Sequence, residues 1–122
     1  NSAQKHQKVL GSPALKGDFL TKEIQKYTNS QQNWELVTDY HFGGYGKYTE
    51  ELIHFINRFK NETYIPLDPI YTGKMMFGIL DRIQKNKFPK GSKLLIIHTG
   101  GLQGIDGFNH RLKGKQKDLK IV

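Results

Sequence analysis

The chain has no cysteine among its 122 residues. A disulfide framework and a thiolate metal site are therefore excluded for this sequence. Its five histidines show no tight ligand spacing, so we expect no metal site. Long apolar runs are also missing, because the run over residues 94–97 is far shorter than the roughly 20 residues that span a bilayer. We therefore expect no membrane segment and, by default, a cytoplasmic protein.

Acidic residues are scarce relative to basic ones. The 19 lysines and arginines stand against 11 aspartates and glutamates, which gives a formal net charge of +8. Such an excess attracts phosphates without sequence preference, as in a nucleic-acid-binding module. The lysines, however, are spread over several segments instead of lining one helix or strand with aromatics between them. We interpret them as a solvated basic surface, expect no nucleic-acid partner, and keep a basic binding module as the alternative from another functional class.

The hydrophobic pattern predicts helices and strands in alternation within one compact unit. Asp18 can cap a short amphipathic helix that ends at residues 29–30, and a strand over residues 34–40 then runs into a glycine loop. Thr49, followed by two glutamates, predicts the start of a second helix. The apolar stripe of that helix is Leu52, Phe55, Ile56 and Phe59.

The second half of the chain predicts one more helix and one more strand. Prolines at 66 and 69 exclude a helix interior there, and the next helix carries a stripe from Met76 to Ile83 and stops near residues 88–89. Four consecutive aliphatic residues within 93–99 predict a strand covered on both faces, as in a parallel sheet. The order helix, strand, helix, helix, strand predicts a layered α/β arrangement. We divide the chain into a flexible or cut end, 1–14, a body, 15–112, and a basic tail, 113–122.

Three polar clusters lie where these elements end. They are the glycine loop with Tyr45, the pair Tyr71 and Thr72 before the third helix, and the turn of Thr99 and Gly100 after the last strand. Ligands of open α/β sheets gather at such loops, so we expect the three clusters to share one site. Each cluster alone also has a structural explanation, because Gly-Gly permits a tight turn and Thr beside Gly caps helices.

The same clusters carry a family resemblance. The segments Gly43-Gly44-Tyr45-Gly46-Lys47, Leu67-Asp68-Pro69-Ile70-Tyr71-Thr72-Gly73-Lys74 and Ile97-His98-Thr99-Gly100-Gly101 resemble the last third of the pyridoxal-phosphate enzymes of the 1-aminocyclopropane-1-carboxylate deaminase and D-cysteine desulfhydrase family. The resemblance runs from roughly residue 15 to 112. It implies an α/β fold, that of part of the large domain of the tryptophan-synthase-β-like (type II) pyridoxal-phosphate enzymes.

The resemblance also implies a fragment of a longer enzyme. The lysine that holds pyridoxal 5'-phosphate as a Schiff base and the loop that cradles its phosphate belong, in the family, to upstream segments that this chain lacks. We therefore reject Lys47 and Lys74 as the Schiff-base lysine and expect the isolated chain to be inactive. The partners implied are the missing N-terminal part of the same protein, a second copy in a homodimer, and a small amino-acid substrate.

Residue roles are implied in the same way. Tyr45 resembles the catalytic tyrosine that lies over the cofactor, contacts the substrate and can pass a proton, and Tyr71 resembles its companion from the opposite loop. A tyrosine needs a nearby positive charge or hydrogen bond to act as a base at neutral pH. Thr72, Thr99 and Gly100 resemble the cofactor-binding residues. We favour Thr99 as the partner of the ring nitrogen, with the roles of Thr72 and Thr99 left interchangeable. Alternation along the strand points His98 away from Thr99, so we interpret His98 as structural.

Positions 72 and 99 separate the two branches of the family. The deaminase branch typically has Glu in the place of Thr72 and Leu in the place of Thr99, so this chain resembles the D-cysteine desulfhydrase branch. A carboxylate near the ring nitrogen keeps it protonated, whereas a hydroxyl favours a less protonated ring, which suffices to eliminate a good leaving group such as sulfide. We therefore expect β-elimination that gives pyruvate, ammonia and sulfide, with a deaminase-like activity as the alternative.

Overall fold

The computed structural model describes residues 6–17, 19–28, 33–114 and 118–122. The predicted cap Asp18 and the predicted helix end at 29–30 lie outside these residues. The described residues form two strands, four α-helices and a single 3-10 turn over Leu102–Gly104. The strands are β1 (Val9–Gly11) and β2 (Trp34–Leu36), and the helices are α1 (Phe19–Gln25), α2 (Glu50–Thr63), α3 (Thr72–Gln84) and α4 (Ile105–Lys113).

The two strands form a small parallel sheet, with Val9 opposite Trp34 and Gly11 opposite Leu36. Helix α1 connects them, which makes a β-α-β unit. Strand β1 falls inside the segment 1–14, where the sequence predicted no element. The predicted strand over 34–40 is shorter than expected, because the chain leaves the sheet after Leu36 and turns at Tyr40.

Helix α2 begins as predicted. Thr49 is extended, and its Oγ1 accepts a hydrogen bond of 3.2 Å from the Leu52 amide, while Glu50 and Glu51 lie in the first turn. The helix ends at Tyr64, which is left-handed at φ 63° and donates its amide to the Lys60 carbonyl. The predicted stripe of α2 is confirmed as core, since Leu52, Phe55 and Ile56 are buried.

The core is built around α2. Four of its side chains pack with residues from the following loop, from α4 and from the end of the chain; the buried set is Leu52, Ile53, Phe55, Ile56, Leu67, Phe108, Leu112 and Ile121. Helix α4 was not predicted, although Ile105, Phe108 and Leu112 recur at helical spacing. The core therefore lies between α2 and the C-terminal third of the described chain.

Residues 119–122, interpreted as part of a basic tail, are attached to this core. Ile121 is buried, and its amide and carbonyl both bond to the side chain of Asn109, each at 2.8 Å. Asn57 from α2 bonds the Lys120 carbonyl at 2.8 Å and accepts from the Val122 amide at 2.9 Å. The end of the chain thus joins α2 to α4.

Two predicted apolar surfaces are less covered than the sequence indicated. On α3, Leu80 and Ile83 are 40% and 46% exposed, and the helix ends at Gln84 instead of near residue 88. The strand predicted over 93–99, to be covered on both faces in the parent protein, is not formed in this structure, and Leu95 and Ile97 are exposed, as expected for the chain without the rest of the protein. A strand exists only where a neighbour accepts its backbone hydrogen bonds, and the described residues supply none. None of the described helices has the length and apolar character needed to cross a membrane.

The middle of α3 packs against the segment after β2 through Tyr40. The Tyr40 hydroxyl donates to Asp81 Oδ2 at 2.7 Å, and a Cβ at Gly78 would lie 2.7 Å from the Tyr40 ring, so glycine lets the ring rest on the helix. Burial and then the Asp81 carboxylate raise the pKa of Tyr40, so the hydroxyl keeps its proton. This contact fixes the entry to the glycine loop against α3.

Replacing Tyr40 by Phe should lower the free energy of unfolding by about 1 kcal/mol, because one hydrogen bond to a carboxylate is lost while the ring packing stays. Urea unfolding of the purified protein, followed by circular dichroism, measures the change. Tyr64→Phe is the matched control, since the Tyr64 side chain is 89% exposed and should be silent. Equal midpoints for the Tyr40→Phe variant and the parent would show that the contact contributes nothing.

Candidate functional site

The start of α3 is organised by one buried carboxylate. Asp68 is 1% exposed, and its Oδ1 accepts from the amides of Ile70 and Tyr71, both at 2.8 Å. Its Oδ2 accepts from the Thr72 amide at 2.8 Å and from the Thr72 hydroxyl at 2.6 Å. The free amides at a helix start stabilise a negative charge, and the carboxylate in turn satisfies their hydrogen bonds. Asp68 therefore sets the backbone that carries Tyr71 and Thr72.

The Thr72 hydroxyl is held in this arrangement by hydrogen bonds to Asp68. Besides donating to Asp68, its Oγ1 accepts the Asp68 amide at 2.9 Å, and the residue is 1% exposed. The hydroxyl has only one proton, so that proton is already used within the protein. Thr72 is thus part of the scaffold of the loop in this structure.

Two glycines allow close packing around Asp68. A Cβ at Gly73 would lie 2.6 Å from the Asp68 carbonyl oxygen, and one at Gly101 would lie 2.9 Å from the Asp68 carboxyl carbon. Gly101 also has a φ of 88°, in the left-handed region that favours glycine. The turn that follows Thr99 is therefore seated directly on the carboxylate that organises Tyr71 and Thr72.

Tyr45 and Tyr71, the two predicted catalytic residues, lie together. Their rings meet edge to face with centroids 6.2 Å apart, and the Tyr71 hydroxyl lies 3.5 Å from the Tyr45 hydroxyl. Both side chains are about half exposed, so the pair faces solvent. The contact with Tyr45, followed by burial, raises the pKa of Tyr71. Tyr71 therefore holds its proton at neutral pH and is suited to donate one.

Lys74 ties the glycine loop to α3. Its Nζ donates to the His41 carbonyl at 2.8 Å and to the Gly44 carbonyl at 2.9 Å, and the residue is 1% exposed. Burial lowers the pKa of this ammonium, while the Asp68 carboxylate acts in the opposite direction. The first turn of α3 thus holds a buried ammonium, and a buried carboxylate lies four residues before the helix.

The Thr99 turn is held by its histidine neighbour. His98 Nε2 lies 2.9 Å from the Pro66 carbonyl, and Nδ1 accepts from the Gly100 amide at 3.1 Å. A carbonyl only accepts and an amide only donates, so the ring is the neutral form with its proton on Nε2. His98 is therefore structural here, as the sequence analysis interpreted it. Thr99 itself is exposed, and a Cβ at Gly100 would meet nothing within 4 Å, so this side of the turn is open.

The structure brings the three predicted clusters together, in part through Asp68, to which the sequence analysis gave no role. Tyr45 meets Tyr71 directly, Thr72 and Gly101 meet at Asp68, and His98 links the Thr99 turn to the strand-like entry of the loop at Pro66. Asp68 had one local signal, since an Asp directly before a Pro favours the start of a turn. Nothing in the sequence marks Lys74 as buried.

An apolar groove lies away from the two tyrosines. It has a volume of about 350 Å³ and lies between α1 and the two-stranded sheet, lined by residues such as Ile24, Tyr27 and Trp34. The site of the two tyrosines is an open face instead of a cavity. Among the described residues, no group of three His, Asp or Glu side chains could hold a metal ion.

No protein-family model matches the chain. Individual proteins, however, are similar to the chain in sequence. The chain is 42% identical over 74 residues to a putative 1-aminocyclopropane-1-carboxylate deaminase of Pyrococcus horikoshii, an alignment that covers 61% of this chain and 22% of that protein. It is 34% identical over 95 residues to the 1-aminocyclopropane-1-carboxylate deaminase of Rhizobium leguminosarum, covering 76% and 28%. A mitochondrial bifunctional D-cysteine desulfhydrase/1-aminocyclopropane-1-carboxylate deaminase of Arabidopsis thaliana is 41% identical over 63 residues, covering 51% and 16%.

A solved structure agrees with these relatives. The crystal structure of a 1-aminocyclopropane-1-carboxylate deaminase homologue superposes with a TM-score of 0.74 at 31% identity, over 86% of this chain and 34% of that one. The chain thus spans about a sixth to a third of the length of these proteins. The predicted α/β class, that of the type II pyridoxal-phosphate enzymes, is confirmed by this match. By sequence and by fold, the chain belongs to the 1-aminocyclopropane-1-carboxylate deaminase and D-cysteine desulfhydrase family.

Proposed function

We propose that this chain forms one wall of the active site of a pyridoxal-phosphate-dependent lyase that acts on a small amino acid. The observation that carries the proposal is the meeting of Tyr45 and Tyr71, whose hydroxyls lie 3.5 Å apart on an open face. Two neighbouring phenols from different loops can pass a proton to a substrate placed over them. Relatives named as deaminases over most of the chain support this assignment.

The residues present fit the cofactor as a partner for its ring. The exposed Thr99 hydroxyl is a donor beside an open glycine turn. When bound, pyridoxal phosphate supplies the electron sink that makes the Cα proton of an amino acid acidic. Thr99 and Gly100 would contact its ring, and the two tyrosines would face the substrate.

The hydrogen bonding and exposure of the two threonines favour Thr99 as the partner of the ring nitrogen. The Thr72 proton is used by Asp68 at 2.6 Å, and Thr72 is buried, whereas Thr99 is exposed. A neutral hydroxyl at this place leaves the ring nitrogen less protonated than a carboxylate would. This supports β-elimination from D-cysteine to pyruvate, ammonia and sulfide, and the Arabidopsis relative named for both activities is compatible with it.

Within the pair, Tyr71 is protonated in the resting protein. The contact with Tyr45 and burial raise the pKa of Tyr71, so its hydroxyl stays protonated until proton transfer to the substrate. Tyr45, held by the glycine loop, is the group that would contact the substrate beside it. Neither tyrosine needs to be ionised in the resting protein for this division of roles.

The test is made on the full-length protein that contains this chain, purified after expression with pyridoxine in the medium. We expect visible absorbance from bound cofactor and release of pyruvate and sulfide from D-cysteine. L-Cysteine is the control for stereochemical selectivity, and 1-aminocyclopropane-1-carboxylate, scored by ammonia release, tests the deaminase alternative.

Turnover of 1-aminocyclopropane-1-carboxylate without turnover of D-cysteine would replace the desulfhydrase assignment by the deaminase one. A colourless protein that turns over neither substrate, and whose binding to a DNA oligonucleotide weakens steeply with salt, would favour the basic binding module instead.

A further inference from the structure

Lys74 is placed where helix stability alone would not put a lysine. It lies in the first turn of α3, where the helix dipole favours negative charge and disfavours a cation. It is also 1% exposed, and burying an ammonium is costly unless hydrogen bonds and an opposite charge compensate for the loss of water. The carbonyls of His41 and Gly44 and the nearby carboxylate of Asp68 supply that compensation.

The carbonyls that Lys74 binds belong to a glycine-rich loop, which the ring of Phe42 also holds against Phe77 of α3, with ring centroids 5.0 Å apart. Gly43, Gly44 and Gly46 have φ values of 96°, 122° and 65°, all in the region that favours glycine. A run of glycines has high conformational entropy when it is not held, so ordering it requires contacts from outside. Gly44 is buried although it has no side chain, which shows how deeply the loop is drawn onto α3.

The hydrogen bonds within the loop determine its shape but do not attach it to α3. The amides of Gly43 and Gly44 bond to His41, and the Lys47 amide bonds to the Gly44 carbonyl, all within the loop. The two hydrogen bonds from Lys74 connect this loop to α3, and one of them ends on the carbonyl directly before Tyr45. Lys74 follows Tyr71 by three residues, and Asp68 fixes the Tyr71 amide at 2.8 Å. One helical turn thus locates the backbone of both tyrosines.

We propose that Lys74 is a positioning residue that holds the Tyr45 hydroxyl against the Tyr71 hydroxyl through the carbonyls of His41 and Gly44. The inference deepens the proposed function and rests on it, because it assigns to a buried ammonium the alignment of the two proton-transferring groups. Lys74 contacts neither the cofactor nor the substrate in this role. Without the ammonium, each of the two carbonyls loses one of its two donors, and the glycine loop loses these two hydrogen bonds to α3 and gains freedom.

The test is Lys74→Met in the full-length protein, read in two ways. Hydrogen exchange followed by mass spectrometry should show the backbone amides of residues 41–47 exchanging about tenfold or more faster, because the loop opens more often. The kcat for D-cysteine should fall by about tenfold to a hundredfold with a smaller change in KM, as expected when a reacting group is misplaced by about 1 Å. Lys47→Met is the matched control, since Lys47 is exposed in the same loop and its loss removes the same charge.

Each outcome has a defined meaning. Unchanged exchange in residues 41–47 overturns the inference, and so does faster exchange with an unchanged kcat. If Tyr40→Phe lost as much kcat as Lys74→Met without faster exchange of this loop, the kcat loss would be due to general stability. That result would also overturn the inference. Because exchange needs neither cofactor nor substrate, the loop result stands apart from the proposed function, which fails separately if the parent turns over no amino acid.

A second variant covers the case in which Lys74→Met does not fold. Lys74→Gln keeps an amide donor but is shorter and uncharged, so it should partly restrain the loop. We expect its exchange rate and its kcat to lie between those of the parent and the Met variant. A Gln variant with the exchange rate of the parent and the kcat of the Met variant would separate the two readouts and contradict the inference.

Discussion

Replacing Thr99 by Ala in the full-length enzyme should slow turnover by about tenfold to a thousandfold while the cofactor stays bound. The hydroxyl is exposed on the open side of the Gly100 turn, where it can donate to the ring nitrogen, and losing one such hydrogen bond in the transition state has a cost of this order. Steady-state kinetics with D-cysteine measures kcat and KM, and visible absorbance reports cofactor binding. The change in apparent affinity should be smaller than the change in kcat.

The controls for Thr99→Ala use two other threonines. Thr38 is exposed and lies outside the three loops, so Thr38→Ala should leave turnover unchanged. Thr72→Ala removes a hydroxyl that bonds twice to Asp68, so it should lower the unfolding midpoint, whereas Thr99→Ala should not. Full β-elimination activity and unchanged absorbance in Thr99→Ala would show that the ring partner has been assigned to the wrong residue.

Gly73→Ala should destabilise the protein by about 1–3 kcal/mol or more, which makes it the largest stability effect expected of a single methyl group here. The new Cβ would lie 2.6 Å from the Asp68 carbonyl oxygen and 2.7 Å from Ile56 Cδ1. One neighbour is backbone and the other is a buried core side chain, so neither gives way easily. The variant should also displace Tyr71 and Thr72, because they lie in the same turn as Gly73.

Gly107→Ala is the matched substitution. Gly107 lies inside helix α4, and a Cβ there would meet nothing within 4 Å. Since Ala is favoured over Gly by roughly 1 kcal/mol in a helix interior, this variant should be neutral or more stable. Urea unfolding of both variants gives the comparison. A Gly73→Ala midpoint equal to that of Gly107→Ala would mean that the turn at Asp68 relaxes freely, contrary to the packing described.

Local sequence signals were reliable where one residue decides the structure. Thr49 followed by two glutamates predicted the start of α2, and the spacing of Leu52, Phe55 and Ile56 predicted the face that became core. Capping and amphipathic periodicity depend on residues within one or two turns, so they are readable without knowing the fold. The glycines at 43–46 and 100–101 marked turns for the same reason.

Signals that depend on distant partners were less reliable. The aliphatic run after Lys93 predicted a doubly covered strand, yet Leu95 and Ile97 are exposed, because a strand requires a neighbour that the sequence of the strand does not specify. Helix α3 has the predicted stripe, but its buried residues are Thr72, Gly73, Lys74 and Gly78 instead. The face that a helix buries is decided by what packs on it.

The amino-acid sequence by itself determined the family, the α/β class and the loops that carry Tyr45, Tyr71, Thr72 and Thr99, because short motifs at element ends are local and specific. Only the tertiary structure decided how those loops are joined. Asp68 gathers the Tyr71 loop and the Gly101 turn around one buried carboxylate, and Lys74 draws the glycine loop onto the same helix start. These contacts span up to 33 residues of sequence, and a buried charge reveals itself only when the residues that compensate it are brought next to it in space.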